Sequence, residues 1–349
     1  MTVALCAVVL ETLANAQNQG LTSPQTTSVS DRMPLSVGLT IVTTVIGEPQ
    51  GDFESIKQVV ANTPQTIRFT YTGDRRPGAG NERLRLQRTQ SHEDLQHARD
   101  INTYFAASQP ETVSGATTFS VSTQVLRELK SQGVAAVGHI IGERGKDVRY
   151  PVVLRKVESG DVPYATIVNG STKALPAIHA KSSPGDVDQV EFYILDDPDN
   201  PLWLAWQAKV RGGNTFGARV VKVDGGTGGS QLRVCDQARV DVYGIYFDFN
   251  SDVIRPESEP VIRDIANALT TKPTCRLSIE GHTDNVGGDA FNLDLSRRRA
   301  AAVKGALAQN YQIAPDRLTT AGYGASRPKV PNTTLEGRAQ NRRVEFVRQ

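Results

Sequence analysis

The sequence predicts an α+β chain with a β-rich barrel or sandwich domain first and a two-layer α/β sandwich after it. Three observations carry this. From Leu35 to Val223 the chain is mostly short apolar runs broken by Gly, Pro, Asn and Asp. A Gly-rich stretch, Asp224-Gly225-Gly226-Thr227-Gly228-Gly229-Ser230, follows and reads as a linker. Beyond it, strand-like and helix-like periods alternate, which implies helices layered on a sheet. The expected division is 1–16 export signal, 17–34 leader, 35–223 β-rich domain, 224–235 linker and 236–349 α/β domain.

Val3–Leu10 is apolar, and Ala14-Asn15-Ala16 before Gln17 has the A-x-A form of a cleavage site. The basic start is absent and Glu11 interrupts the run, so the expectation is an export signal with a truncated start. Val3-Ala4-Leu5-Cys6 is the competing lipobox reading, with Leu5 the wrong residue before the cysteine. Gln17–Arg32 is rich in Gln, Ser, Thr and Asn and reads as a flexible leader.

In the β-rich part the candidate strands are Val37–Ile46, Thr66–Thr72, Arg83–Arg88, Ala135–Ile141, Pro151–Val157, Tyr164–Val168, Gln189–Leu195, Leu202–Val210 and Ala218–Val223. Thr66–Tyr71 shows the period of two, with Ile67, Phe69 and Tyr71 on one face. Helices are expected at His92–Phe105 and Ser122–Gln132, the second stopped by Gly133. Asp196–Pro201 could suggest a calcium loop, but Pro and Asx residues set turns by themselves, and a turn is the expectation. His92, His97, His139 and His179 are scattered and give no ligand set.

In the last third, Val240–Phe247 alternates as a strand. Pro256 suits a first helical turn, and Val261, Ile262, Ile265, Ala266 and Leu269 repeat at helical spacing. Arg276–Glu280 reads as a strand, Ala290–Gln309 as a long helix with Asp289 as its N-cap, and Arg317–Ala321 and Arg343–Arg348 as two more strands.

The densest signature lies here: Gly281-His282-Thr283-Asp284-Asn285-Val286-Gly287, then Asn292, Leu295-Ser296 and Arg299-Ala300. Asp284 falls in the loop before the long helix. Asn292, Leu295, Ser296 and Arg299 lie along one helix face. Arg299 is expected to point back toward the Asp284 loop. A carboxylate and a guanidinium so placed can hold the two charged ends of one amino acid, the carboxylate taking an ammonium and the planar fork a carboxylate. Gly287 permits the tight turn, and the helix N-terminus favours an anion. The alternative is that Asp284 and Arg299 pair with each other and pin the loop.

The pattern T-D-x-x-G-x-x-x-x-N-x-x-L-S-x-x-R-A resembles the OmpA-like peptidoglycan-binding domain, a family that includes OmpA porin C-terminal domains, Pal lipoproteins and MotB stator proteins. The resemblance runs from about Val240 to Val347. It includes Ile245–Ser251, Leu277–His282, Ala321–Gly324 and Glu336–Val344. It implies a mixed sheet and a site for meso-diaminopimelate of the peptidoglycan stem peptide. Asp284 and Arg299 would hold its free amino-acid end, with Asn250, Thr283 and Asn292 in the pocket and Arg342 a second cation. Asn250 stands where many members carry Asp, so a weaker ammonium preference is expected there. Leu295 and Ala300 read as packing, Ser296 as packing or contact, and Gly337, Arg338 and Asn341 as ordering the last loop. Each charge-assisted bond contributes on the order of 1.5–3 kcal/mol, so one pocket binds modestly and many copies on a polymer bind by avidity.

Composition narrows the classes. The net charge of +2 gives no argument for nucleic acid, and 6% aromatic residues is sparse for an outer-membrane barrel. No internal run is long enough to span a bilayer as a helix. Residues 35–223 contain no cysteine and no H-E-x-x-H or G-x-S-x-G motif. Cys235 and Cys275 could bridge in an oxidising compartment or sit unpaired; their spacing is not that of a metal site. The leading expectation is a non-enzymatic periplasmic anchor, associated with the outer membrane and wall. It binds peptidoglycan without a cofactor or metal, and residues 35–223 serve an envelope partner. The competing readings are a wall-targeted enzyme and a membrane β-barrel carrying a periplasmic domain.

Overall fold

A computed structural model describes residues 33–46, 53–73, 84–103, 110–143, 146–183, 189–209, 215–225 and 233–349. The expected signal and lipobox, the leader up to Arg32, and linker residues 226–232 lie outside them. Among the described residues the first sheet has 14 strands. They are β1 (Thr40–Ile46), β2 (Phe53–Asn62), β3 (Thr66–Gly73), β4 (Leu84–Ser91), β5 (Asp100–Asn102), β6 (Glu111–Val113), β7 (Ala116–Thr117), β8 (Val134–Glu143), β9 (Lys146–Lys156), β10 (Val162–Val168), β11 (Ser171–Ser182), β12 (Gln189–Leu195), β13 (Trp203–Lys209) and β14 (Thr215–Asp224).

The order β6-β4-β3-β2-β1-β14-β13-β12-β11-β9-β8-β5-β7 is mostly an antiparallel meander, with β10 joining β11 and β14. The stretch Glu111–Thr117 touches both ends of this order, because β6 pairs with β4 and β7 with β5. Alternation decides which side is core. On β3 and β4, Ile67, Phe69, Tyr71, Leu84 and Leu86 are buried, while Arg68 and Arg85 between them are exposed. Phe69 meets Phe119 edge-to-face with ring centroids 4.7 Å apart. Phe192, Trp203 and Trp206 belong to the same core.

In this sheet several expectations change. The helix foreseen over His92–Phe105 stops at His97, forming α1 (His92–His97), because Ala98 turns to extended backbone and Asp100–Asn102 pairs with β7 and β8. The strands β2, β5, β6, β7 and β11 were not foreseen. β2 buries Ser55 and Lys57, which masks its apolar face, and β11 carries Pro176 opposite Pro163 of β10. The second helix, α2 (Thr123–Gln132), is capped by the Ser122 side chain and ends at Gly133 with φ 71°.

The second sheet is mixed. It comprises β15 (Arg239–Val242), β16 (Leu277–His282), β17 (Leu318–Gly324) and β18 (Val344–Arg348), in the order β15-β18-β16-β17. β16 and β17 are parallel, and β18 is antiparallel to both its neighbours. The helices α3 (Glu259–Thr271) and α4 (Asp289–Tyr311) supply Ile262, Ile265, Leu269, Val303 and Leu307 to a core with Leu277, Ile279, Leu318 and Phe346. The short α5 (Leu335–Asn341) precedes β18. Cys235 and Cys275 form a disulfide with Cα atoms 5.8 Å apart. The N-cap of α4 is Gly288, and Asp289 is the first helical residue. The strand foreseen to Phe247 ends at Val242, and residues 243–247 leave the sheet, Tyr246 packing against the first sheet while Ile245 and Phe247 stay on the second core.

The stretch that reads as a linker joins two sheets that are docked on each other. Val42, Ile56, Ile167 and Val221 of the first sheet share a core with Tyr246 and Ala339. Around it, Thr72 Oγ1 donates to Glu257 Oε1 at 2.8 Å, Tyr246 OH donates to Asp224 Oδ2 at 2.5 Å, and Arg219 pairs with Glu336 at 3.3 Å.

Candidate ligand-binding site

Close packing of helix on strand sets the site's frame. A Cβ on Gly281 would lie 2.3 Å from the Ser296 carbonyl oxygen, so only glycine lets α4 approach β16 this closely. Ser296 Oγ ties the layers together by accepting from Gly324 N at 2.9 Å and donating to Leu293 O at 2.8 Å. Leu295 and Ala300 are buried.

The chain leaves β16 at His282 into the loop that carries the motif. Thr283 N donates to Gly324 O at 3.0 Å, and Thr283 Oγ1 donates to Asp284 O at 2.9 Å. Asp284 Oδ1 accepts from Val286 N at 3.0 Å, a local turn that fixes the carboxylate. Asn292 Nδ2 donates to Val286 O at 3.2 Å and Asp284 O at 3.4 Å, and is itself buried. Gly287 has φ 96°, the left-handed region.

Arg299 and Arg342 both line the cavity that Asp284 lines. Arg299 feels the Asp284 charge but makes its hydrogen bonds elsewhere. It lies ten residues into α4, about 15 Å along the axis at the helical rise. Its Nε donates to Ser251 O at 2.9 Å and its Nη2 to Asp248 O at 3.3 Å, with the guanidinium carbon 4.8 Å from the Phe247 ring centroid. Burial and the nearby Arg342 lower its pKa to about 10, against the pull of Glu54 and Asp284. Arg342 is the cation that meets Asp284, donating from Nη1 to Oδ2, while its Nη2 pairs with Glu54 of β2. Burial would lower the Arg342 pKa, but Glu54 and Asp284 outweigh it and the value is raised.

These groups line one open cavity of about 710 Å³. Asn250, Thr283, Asp284, Gly287, Asn292, Leu295, Arg299, Arg338 and Arg342 face it, with Phe247, Phe249 and Phe291. Asn250 is exposed in the turn at 248–251 with φ 53°, a conformation Asn tolerates well. Sequence reasoning missed the other wall: Thr44, Phe53 and Glu54 come from the first sheet. No local signal could have found them, because the contact spans 288 residues. Asn341 lies behind the site, accepting from Lys329 N and donating to Val330 O, both at 2.8 Å. Arg338 Nη1 donates to Asn332 O at 3.3 Å, and a Cβ on Gly337 would lie 2.3 Å from Pro331 O.

Glu280, His282 and Glu345 bring ligand atoms within 4.8 Å of one another behind this pocket. Arg239 pairs with both carboxylates and Arg343 pairs with Glu345, so the acids are already neutralised and the group is a closed ion-pair cluster. His282 stacks on Tyr323 at 5.5 Å, and burial plus Arg343 lower its pKa to about 3.

A mixed sheet covered by two helices, with a motif loop feeding the N-terminus of the longer one, defines a two-layer α/β module. The OmpA family profile matches residues 246–342, and this segment is an OmpA family domain. Outer membrane porin F of Pseudomonas fluorescens is 42% identical over 112 residues, covering 32% of this chain and 34% of that protein. The putative lipoprotein YfiB of Escherichia coli is 41% identical over 103 residues, covering 30% of this chain and 64% of that protein. A solved peptidoglycan-associated lipoprotein from Burkholderia pseudomallei is 26% identical with a TM-score of 0.30, covering 34% of this chain and 97% of that one. The matched segment thus spans about a third of the porin.

Proposed function

We propose that this chain is a non-catalytic cell-envelope anchor. Its OmpA family domain holds the free amino-acid end of diaminopimelate in peptidoglycan stem peptides. One observation carries the reading: Asp284, Arg299 and Arg342 line a single open cavity within that domain. A ligand ammonium is suited to Asp284, and a ligand carboxylate to the guanidinium side, where Arg342 offers a planar fork. Asn250, Thr283 and Asn292 border the same space, the last two mainly by shaping the loop. The relatives' names favour the periplasmic face of an outer membrane as the place of work, and the Cys235–Cys275 bridge suits that oxidising compartment.

Two features of the first sheet favour a non-membrane, non-enzymatic role for residues 35–223. Its interior is packed with aromatic and aliphatic side chains, while Arg68, Arg85 and Arg155 face outward, the reverse of a lipid-facing strand. Its most nucleophile-like group is Ser55, Thr43 and Lys57, linked at 2.6 and 3.2 Å. Burial and Arg88 lower Lys57 to a pKa of about 7. All three are at most 3% exposed, which leaves no access for a substrate. This sheet serves an envelope partner in our reading.

Calorimetric titration of the full chain tests the site. A stem tripeptide ending in meso-diaminopimelate is expected to bind, and the same tripeptide ending in lysine, whose free ammonium has no carboxylate beside it, to bind at least about tenfold more weakly, the loss of one charge-assisted contact. Equal affinity for the two rejects the pocket.

A further inference from the structure

Strand β2 presents a period-two face to the second domain. Ile56 packs against Tyr246 and Ala339. Gln58 Nε2 donates to Glu257 O at 3.3 Å. Glu54, the third residue on that face, reaches past the interface into the ligand cavity and pairs with Arg342. Its side chain keeps 33% of its surface exposed there. Arg342 therefore bridges two carboxylates, one from the first sheet and one from the motif loop of the second domain.

We propose that Glu54 is a specificity-determining residue of the site: it fills the carboxylate-binding half of the cavity from the neighbouring domain, so a ligand carboxylate engages Arg342 only by displacing it. This rests on the diaminopimelate reading above. The chemistry is like-charge competition. Arg342 has one guanidinium edge on Asp284 and the other on Glu54. A ligand carboxylate must take over the second edge, and two carboxylates crowded on one fork repel. A ligand without that carboxylate meets no such competitor. Glu54 thus narrows the site's preference for an acidic ligand terminus, and it couples ligand entry to the seating of the first sheet. The geometry also explains why Glu54 stays ionised: burial raises its pKa, but Arg342, Lys222 and Arg255 more than reverse this.

The test is calorimetry on the full chain with two stem tripeptides as probes, one ending in meso-diaminopimelate and one ending in lysine, whose free ammonium has no carboxylate beside it. Glu54→Gln is expected to bind the diaminopimelate tripeptide about tenfold tighter than the unaltered chain, an ordinary size for a coupling between groups, and the lysine tripeptide no tighter. Glu54→Ala should move the same way and covers a folding defect in the first variant, with the helical circular dichroism of each recorded alongside. Thr72→Val removes the Thr72–Glu257 bond in the same interface but touches no cavity group, and should leave both affinities unchanged. Diaminopimelate binding that is equal or weaker in both Glu54 variants overturns the inference. So does an equal gain in Thr72→Val, which would trace the effect to a loosened interface. If the unaltered chain binds and Arg299→Ala does not, while Glu54→Gln equals the unaltered chain, the anchoring reading stands and this one falls. If no form binds, both fall.

Discussion

Replacing both Cys235 and Cys275 by alanine should destabilise the second domain far more than the first. The bridge closes a separation of 40 residues. The chain-entropy relation then gives about 13 cal/mol/K, or about 4 kcal/mol at 25 °C. The two side chains are 7% and 8% exposed, so alanine adds only a small loss of packing. The assay can separate the two sheets. Trp203 and Trp206 are the only tryptophans and both sit on β13, so their fluorescence reports the first sheet. The long helices α3 and α4 report the second through circular dichroism. With a urea slope of about 2 kcal/mol/M, the helical midpoint should fall by about 2 M. Reductant should reproduce the shift in the unaltered chain and add nothing to the variant. A helical midpoint that moves by less than about 0.5 M on this scale, or a reductant effect persisting in the variant, would refute the reasoning.

Two further outcomes follow from the second domain. His282 is held neutral in the fold, with its pKa lowered from the usual 6.5 to about 3 by burial and Arg343. The unfolded chain therefore binds the extra proton first as pH falls. The stability contributed by neutral His282 is full above 6.5 and is lost between 6.5 and 3, with a slope of up to about 1.4 kcal/mol per pH unit. Urea melts across that window should show a shallower slope in His282→Gln than in the unaltered chain; parallel slopes contradict this. Gly281→Ala should cost about 2 kcal/mol by overpacking, because the new methyl meets the Ser296 carbonyl at 2.3 Å; a melt within a few tenths of a kcal/mol of the unaltered chain would show that α4 can move away.

The sequence makes local geometry legible and long-range docking nearly invisible. Ser122, Gly133 and the apolar face of α2 are read within one dozen residues, and the helix forms there. Gln189–Leu195 is foreseen to the residue because its alternation is clean. The strand β2 hides because Ser55 and Lys57 are polar yet buried, linked through the Thr43 hydroxyl. At the site, the motif places Asp284 and Asn292 near each other, since both belong to one loop and the helix it feeds. It does not show that Arg299, which lines the same cavity, gives its donors to the carbonyls of Asp248 and Ser251. The Asp284 partner comes from Arg342, and the cavity's second wall from Glu54, through pairings whose energy depends on how two sheets dock. That docking leaves no period or spacing in the sequence.

The central claim is that opposite charges in one cavity grip a wall amino acid. Co-sedimentation with purified diaminopimelate-type sacculi tests it most directly, using the full chain, Asp284→Ala and Arg299→Ala, each first shown to be folded by circular dichroism. The account predicts that the unaltered chain pellets with the sacculi and that both variants stay in the supernatant. Two folded variants that still pellet would contradict it.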